Sequence, residues 1–158
     1  MKPRLYLETS IISYLAALPS RDLVVAAHQQ ITHEWWTERR SRYEIFVSEL
    51  VIREIRMGDK NAARKRLSLV ESISVLAIDD STIVLGEHLQ KCAQLPEKAN
   101  ADALHIALAA FHSMDFLLTW NCRHIANGRT RRFIDDAVRS HGMLPPMIVT
   151  PEELPEED

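Results

Sequence analysis

Short apolar runs alternate with longer stretches of helical periodicity along the chain. The short runs resemble buried strands, and they occupy residues 4–7, 45–47, 74–78, 116–119 and 147–150. Between them, apolar side chains recur about every 3.6 residues. This period predicts helices over residues 22–40, 49–56, 61–72, 81–94, 100–113 and 131–140. Strands that alternate with helices predict a three-layer α/β/α fold around a central, mostly parallel sheet of about five strands.

The predicted helix over residues 100–113 is apolar almost all round, which is typical of a helix buried between layers. Asp102 lies in its first turn. The helix dipole favours an acid there, but burying a carboxylate is costly unless it is paired or bound to a metal. Taken alone, Asp102 therefore fits a helix-terminal acid as well as a functional group.

Other polar side chains follow the predicted strands. Glu8 comes directly after the first strand, Glu54 lies in the helix after the second, and Asn121 follows the fourth. In folds of this class, ligands bind beyond the carboxyl ends of the strands. Carboxylates with an amide oxygen suit a hard cation, Mg²⁺ or Mn²⁺, rather than zinc. Such an ion polarises a phosphoryl oxygen and activates water, so these residues indicate phosphate chemistry.

Four segments, YLETSIISYL, SELVIREI, ADALHIALA and LLTWNCRHIAN, resemble the PIN domain family in order and spacing. The resemblance extends from residue 5 to about residue 154 and is greatest to the VapC-type toxins of bacterial toxin–antitoxin pairs. It implies a metal-dependent ribonuclease that uses Mg²⁺ or Mn²⁺ to hydrolyse RNA with metal-activated water. It also implies a small antitoxin protein as partner, and family members often form homodimers.

The motifs assign roles to individual residues. By this resemblance Glu8, Glu54 and Asp102 hold the metal, and Asn121 completes the catalytic set where many members have a fourth acid. Five further residues would position the substrate: Thr9, Ser10, Thr119, Arg123 and His124. The chain departs from the commonest pattern in having Glu8 in place of aspartate and Asn121 in place of an acid. Both changes should weaken binding of a second metal ion.

Composition and charge predict the domain organisation and the location of the chain. The net charge is −3, but five of the last eight residues are acidic, so the rest of the chain is close to neutral. We expect one domain over residues 1–150 and an acidic tail over 151–158, disordered beyond Leu154. No apolar run is long enough to span a membrane, no signal-peptide pattern is present and the two cysteines form no CxxC motif. These features predict a reduced, cytoplasmic chain without membrane contact.

Alternative functions remain open on the sequence. The changes at Glu8 and Asn121 also fit a catalytically weak PIN-like module that binds RNA or a protein. A weaker third interpretation is a phosphatase or DNA nuclease that uses the same carboxylates. Among the other residues, His105 lies one helical turn after Asp102 and orients it, contacts the substrate or packs in the core. Trp120 either stacks on an RNA base or closes the core at the sheet edge.

Overall fold

The computed structural model describes residues 1–154 and contains a five-stranded sheet with the strand order β3-β2-β1-β4-β5. Every neighbouring pair of strands is parallel, which confirms the predicted sheet. The strands are β1 (Arg4–Leu7), β2 (Glu44–Ser48), β3 (Ser74–Leu76), β4 (Phe116–Leu118) and β5 (Met147–Val149).

Seven α-helices in this part of the chain form two groups. The helices are α1 (Thr9–Ala16), α2 (Leu23–Glu38), α3 (Glu49–Ile55), α4 (Lys60–Val70), α5 (Asp80–Cys92), α6 (Asn100–Phe111) and α7 (Arg131–Ser140). Helix α1 packs against α2, α3 and α4, whereas α5 packs against α6 and α7. The two groups and the sheet between them form the predicted three-layer arrangement.

The periodicity did not predict α1. Its sequence, TSIISYLA, is rich in β-branched residues, whose side chains lose χ1 freedom in a helix. Tertiary packing overrides this weak preference, because Ile11 and Ile12 are fully buried. The side chain of Glu8 also caps the helix by accepting the backbone N–H of Ser10. The residue expected to follow a strand therefore also begins a helix.

The centre of the molecule lies around β1 and α6. Leu5, Tyr6 and Leu7 in β1 are completely buried, as expected for a central parallel strand covered on both faces. Helix α6 is buried along most of its length. Gly86 of α5 lets that helix approach closely, since a Cβ added there would lie 3.3 Å from the Leu104 Cα. This contact fixes the position of the helix that carries Asp102.

The parallel strands place their carboxyl ends on one edge of the sheet. Two of these ends lead directly into helix caps: Glu8 caps α1, and Ser48 caps α3 by accepting the backbone N–H of Val51. After β5 the chain turns and buries Leu154 in the core. Residues 155–158, where we predicted disorder, lie outside the described residues. Among residues 1–154, no helix has both the length and the apolar character needed to cross a membrane.

Candidate active site

Glu8 lies at the carboxyl end of β1, and its side chain is 6% exposed. Its Oε1 atom accepts the hydroxyl of Ser10 at 2.5 Å and the hydroxyl of Thr119 at 2.6 Å. Its Oε2 atom accepts the Ser10 backbone N–H at 3.1 Å. A buried carboxylate requires such donors, because its desolvation is otherwise expensive. The two hydroxyls predicted to position substrate thus hold the first acidic side chain.

Glu54 is held from two sides near the end of α3. Its Oε1 atom accepts the Thr9 hydroxyl at 2.7 Å and lies 2.6 Å from Nε2 of His105. Partial burial raises the pKa of Glu54. His105 lowers it through a hydrogen bond and electrostatic attraction, Thr9 lowers it through a hydrogen bond, and together they outweigh burial. The pKa is therefore lowered, and the fold favours the ionised carboxylate.

His105 connects Glu54 to the interior. Its Nδ1 atom lies 2.6 Å from the hydroxyl of Tyr6, which in turn lies 2.7 Å from the hydroxyl of Ser48. Burial raises the pKa of Tyr6 well above its ordinary value, so the phenol keeps its proton. An ionised carboxylate only accepts, so His105 Nε2 donates to Glu54. With a neutral imidazole, Nδ1 accepts from Tyr6 and the Tyr6 oxygen accepts from Ser48.

The other half of the site joins α6 to the segment after β4. Asp102 Oδ2 lies 2.8 Å from Nδ1 of His124, and the His124 backbone N–H donates to Asn121 Oδ1 at 3.0 Å. The Asn121 backbone N–H donates to the Thr119 hydroxyl at 2.9 Å, and that hydroxyl donates to Glu8. The Asn121 side chain, which we expected to act as an oxygen ligand, thus caps the local turn.

These contacts form one connected network. It runs from Asp102 through His124, Asn121 and Thr119 to Glu8, and the adjacent Ser10 and Thr9 continue it to Glu54. Eight of the nine residues predicted for the site are therefore linked. The ninth, Arg123, is exposed and its side chain takes no part in this network. The sequence motifs thus identify residues that the fold brings together.

The donor chemistry of the three carboxylates fits a hard cation, because oxygen ligands suit Mg²⁺ or Mn²⁺. Within residues 1–154, however, no three His, Cys, Asp or Glu side chains are grouped so as to hold a metal ion. The hydroxyl, amide and imidazole donors described above bind the carboxylates of Glu8, Glu54 and Asp102 instead. Among the described residues these donors bind both oxygens of Glu8 but only Oε1 of Glu54 and Oδ2 of Asp102, so Glu54 Oε2 and Asp102 Oδ1 keep acceptor sites for a cation.

One expectation about a neighbouring residue is wrong, and the sequence analysis missed one residue of the site. His105 does not orient Asp102 as suggested: it contacts Glu54 and Tyr6, although it lies one helical turn from Asp102. Tyr6 was not recognised as part of the site. A signal was present, since a tyrosine inside a central strand needs a partner for its hydroxyl. The partner itself lies on α6, 99 residues away along the chain.

Comparison with known proteins identifies a family and two similar folds. The sequence matches the PIN domain family over residues 5–126. Among solved structures, VapBC2 from Rickettsia felis, bound to a DNA fragment from its promoter, has a TM-score of 0.56 at 13% identity. That match covers 92% of this chain and 97% of the other.

A second similar structure is VapC20 of Mycobacterium tuberculosis, a Sarcin-Ricin loop cleaving toxin. It has a TM-score of 0.61 at 15% identity, and the match covers 78% of this chain and 95% of that one. At such low identity, both comparisons establish similarity of fold alone. No curated protein matches the sequence.

Proposed function

Since the chain belongs to the PIN domain family, we propose that it is a metal-dependent endoribonuclease. Its catalytic set would be Glu8, Glu54, Asp102 and Asn121. The observation that supports this most is the connected network of the site, which links the acid directly after β1 with acids from α3 and α6 near the carboxyl edge of the sheet. Acids gathered from separate elements at this edge are typical of a catalytic centre rather than of a solvated surface.

The reaction would be hydrolysis of an RNA phosphodiester by in-line attack of water. The phosphorus–oxygen bond to the 3′ oxygen breaks, leaving a 5′-phosphate and a 3′-hydroxyl. Glu8, Glu54 and Asp102 would hold Mg²⁺ or Mn²⁺, which supplies Lewis acidity toward the phosphoryl oxygen and lowers the pKa of water.

The protein's own part is to place and ionise the acids. Thr9 and His105 fix Glu54, whose lowered pKa keeps it charged. Ser10 and Thr119 fix Glu8. The exposed Arg123 and the half-buried His124 lie after β4, where they would bind the RNA backbone.

We further propose that this nuclease is a cytoplasmic toxin that a small antitoxin protein holds inactive by covering the acidic site. The similar fold of VapBC2 and VapC20 supports this partner.

A homodimer through α2 is also proposed, because large apolar side chains are exposed at its start. Leu23 is 86% exposed and Val24 is 64% exposed. Analytical ultracentrifugation of wild type and Leu23→Asp would test the dimer, which the charged variant should dissociate.

The nuclease is tested by cleavage of a mixed RNA pool with Mn²⁺, Mg²⁺ or EDTA. Wild-type protein should cleave with either metal and not with EDTA, and Asp102→Asn should lose at least most of this activity. Asp136→Asn, which removes an exposed acid from α7, is the matched control and should keep it. Mapping of the fragment ends should show 5′-phosphates. Cleavage that persists in Asp102→Asn or in EDTA would contradict the proposal.

The alternative function is a PIN-like module that binds RNA or a protein with little catalysis. Glu8 and Asn121 favour it, because protein donors already bind both oxygens of Glu8 and the side-chain oxygen of Asn121. Thermal unfolding with added Mn²⁺ distinguishes the two, since an ion that binds only the folded state raises the melting temperature. A rise in wild type that Asp102→Asn lacks supports the nuclease. An unchanged melting temperature in wild type supports the module.

A further inference from the structure

Three aromatic rings lie together beside the proposed catalytic set. The rings of His28 and Trp120 are stacked, with centroids 4.0 Å apart and planes 10° from parallel. The Tyr14 ring centroid lies 6.5 Å from His28 and 6.3 Å from Trp120. Tyr14 is therefore nearly equidistant from the two stacked rings, so it lies at their side. The face of the His28 ring that points away from Trp120 is not covered by Tyr14.

Hydrogen bonds hold this stack in place. The indole N–H of Trp120 donates to the Thr32 hydroxyl at 2.7 Å, and that hydroxyl donates to the carbonyl of His28 at 2.6 Å. Trp120 is 9% exposed, whereas His28 and Tyr14 are half-buried. The buried indole of Trp120 is thus held in place by hydrogen bonds and supports the His28 imidazole, which is the outer ring of the stack.

The stack is tied directly to the acidic site. The backbone N–H of Trp120 donates to the Ser10 hydroxyl at 2.8 Å, and the same hydroxyl donates to Glu8. One serine side chain therefore fixes both a carboxylate of the proposed centre and the base of the stack. The base of the stack is therefore one serine hydroxyl away from the Glu8 carboxylate.

The polar atoms of the His28 and Tyr14 rings have no partner among residues 1–154. Neither ring nitrogen of His28 and not the hydroxyl of Tyr14 makes a hydrogen bond to the described chain. A flat, half-buried ring that Tyr14 does not cover and that has unpartnered polar atoms at its edge matches a nucleobase, which offers a π-face and a polar edge.

We propose that the outer face of His28, supported by Trp120 and flanked by Tyr14, stacks on one base of a single-stranded RNA. The proposal deepens the proposed ribonuclease function and rests on it. It explains how the enzyme holds an unpaired nucleotide next to the scissile phosphate. Base–aromatic stacking tolerates any sequence, so this subsite would position RNA rather than select its sequence.

The test measures binding of a short, fluorescein-labelled single-stranded RNA of mixed sequence by fluorescence anisotropy. EDTA is present to prevent cleavage. His28→Ala should weaken binding by about 5- to 150-fold, the range that loss of one stacked base produces. His28→Phe keeps a flat ring and should bind within a few-fold of wild type. His33→Ala, which removes an exposed histidine from the same helix, is the matched control and should bind like wild type.

A second oligonucleotide, with the same backbone but abasic sites, isolates the stacking interaction. Wild type and His28→Ala should bind it equally, because no base is available to stack. The circular dichroism spectrum of each variant should match that of wild type. Trp120→Phe weakens the support under His28 and should therefore also reduce binding of the base-containing RNA.

The outcomes separate this proposal from the nuclease itself. If wild type cleaves RNA with Mn²⁺ but His28→Ala binds the mixed RNA as tightly as wild type, the subsite is wrong and the nuclease stands. An equal loss for base-containing and abasic RNA would also overturn it, since the effect would then be on the backbone. Absence of any RNA binding by wild type in EDTA would overturn the subsite, whereas the nuclease is judged separately by cleavage with Mn²⁺.

Discussion

The hydroxyls of Thr9, Ser10 and Thr119 each donate to a carboxylate of the site. The sequence motifs suggested that these side chains bind substrate, and in the structure they position acids. A hydroxyl can do this at a buried carboxylate without adding a second charge that must be desolvated. Neutral hydroxyl donors therefore organise the acids of the site, and His105 and His124 contribute its two imidazole contacts.

Tyr6→Phe removes one buried oxygen from this arrangement. The hydroxyl contacts both Ser48 and His105, so its loss leaves His105 Nδ1 without its partner. We expect a loss of about 1–3 kcal/mol in the free energy of unfolding, measured by urea denaturation. Tyr14→Phe removes the same atom from a half-buried ring that makes no such bonds and should change stability by less than about 0.5 kcal/mol. Equal losses in the two variants would refute the role of the buried hydroxyl.

Glu54 gives the fold a pH dependence whose direction follows from its pKa. Burial raises this pKa, but His105 and Thr9 outweigh burial and bring it below the ordinary value of 4.5. A lowered pKa stabilises the fold fully above the ordinary value, and this stabilisation is lost as the pH falls through the lower, folded-state pKa. The stability difference between wild type and Glu54→Gln, measured in EDTA, should therefore be largest near neutral pH. It should shrink as the pH falls below about 4.5.

The control for that series is Glu87→Gln, which removes an exposed carboxylate from α5. The stability difference between Glu87→Gln and wild type should stay small both near neutral pH and at acid pH. A difference between wild type and Glu54→Gln that grows toward acid pH would show that His105 and Thr9 do not stabilise the charged form.

At the scale of elements, the contact between α5 and α6 determines where two site residues lie. Gly86→Ala adds a Cβ that would lie 3.3 Å from the Leu104 Cα, a backbone atom that cannot move alone. Overpacking costs about 1–3 kcal/mol, and the better helix propensity of alanine returns about 1 kcal/mol. We expect a net loss of about 1 kcal/mol by thermal or urea unfolding. We also expect reduced RNA cleavage, since α6 carries both Asp102 and His105.

Gly128→Ala is the matched substitution, because a Cβ at Gly128 meets no atom within 4 Å. It should leave stability and cleavage within error of wild type. If Gly86→Ala behaves in the same way, α5 and α6 are free to separate slightly and their close approach does not position the site.

Hydrophobic pattern was sufficient to predict all five strands and six of the seven helices of the described chain, because buried runs and helical stripes are local signals. Helix α1 was missed because its β-branched sequence favours a strand and its stability comes from the Glu8 cap and packing. The motifs located the acids. They could not show that His105 reaches Glu54, since that contact depends on how α6 and α3 are oriented across β1.

At the scale of the whole molecule, the acidic C-terminal residues oppose the proposed substrate. The chain carries a net charge of −3, whereas RNA is a polyanion. The charges of Glu153 and Glu152 also reach the site. Burial raises the pKa of the Cys122 thiol most, and these two carboxylates raise it further. Cys122 follows Asn121 directly, so negative charge lies close to the segment that would bind the RNA backbone.

Removing residues 155–158 deletes three acids while Leu154, which packs in the core, is kept. We expect the truncated chain to bind single-stranded RNA more tightly than wild type at low salt. The difference should disappear near 1 M salt, where the Debye length falls to about 3 Å. A full-length chain with Glu156→Gln, Glu157→Gln and Asp158→Asn should reproduce the gain if charge is the cause. A gain from truncation alone would instead show that the tail obstructs the site sterically, and unchanged anisotropy in both would show that it does not act on RNA.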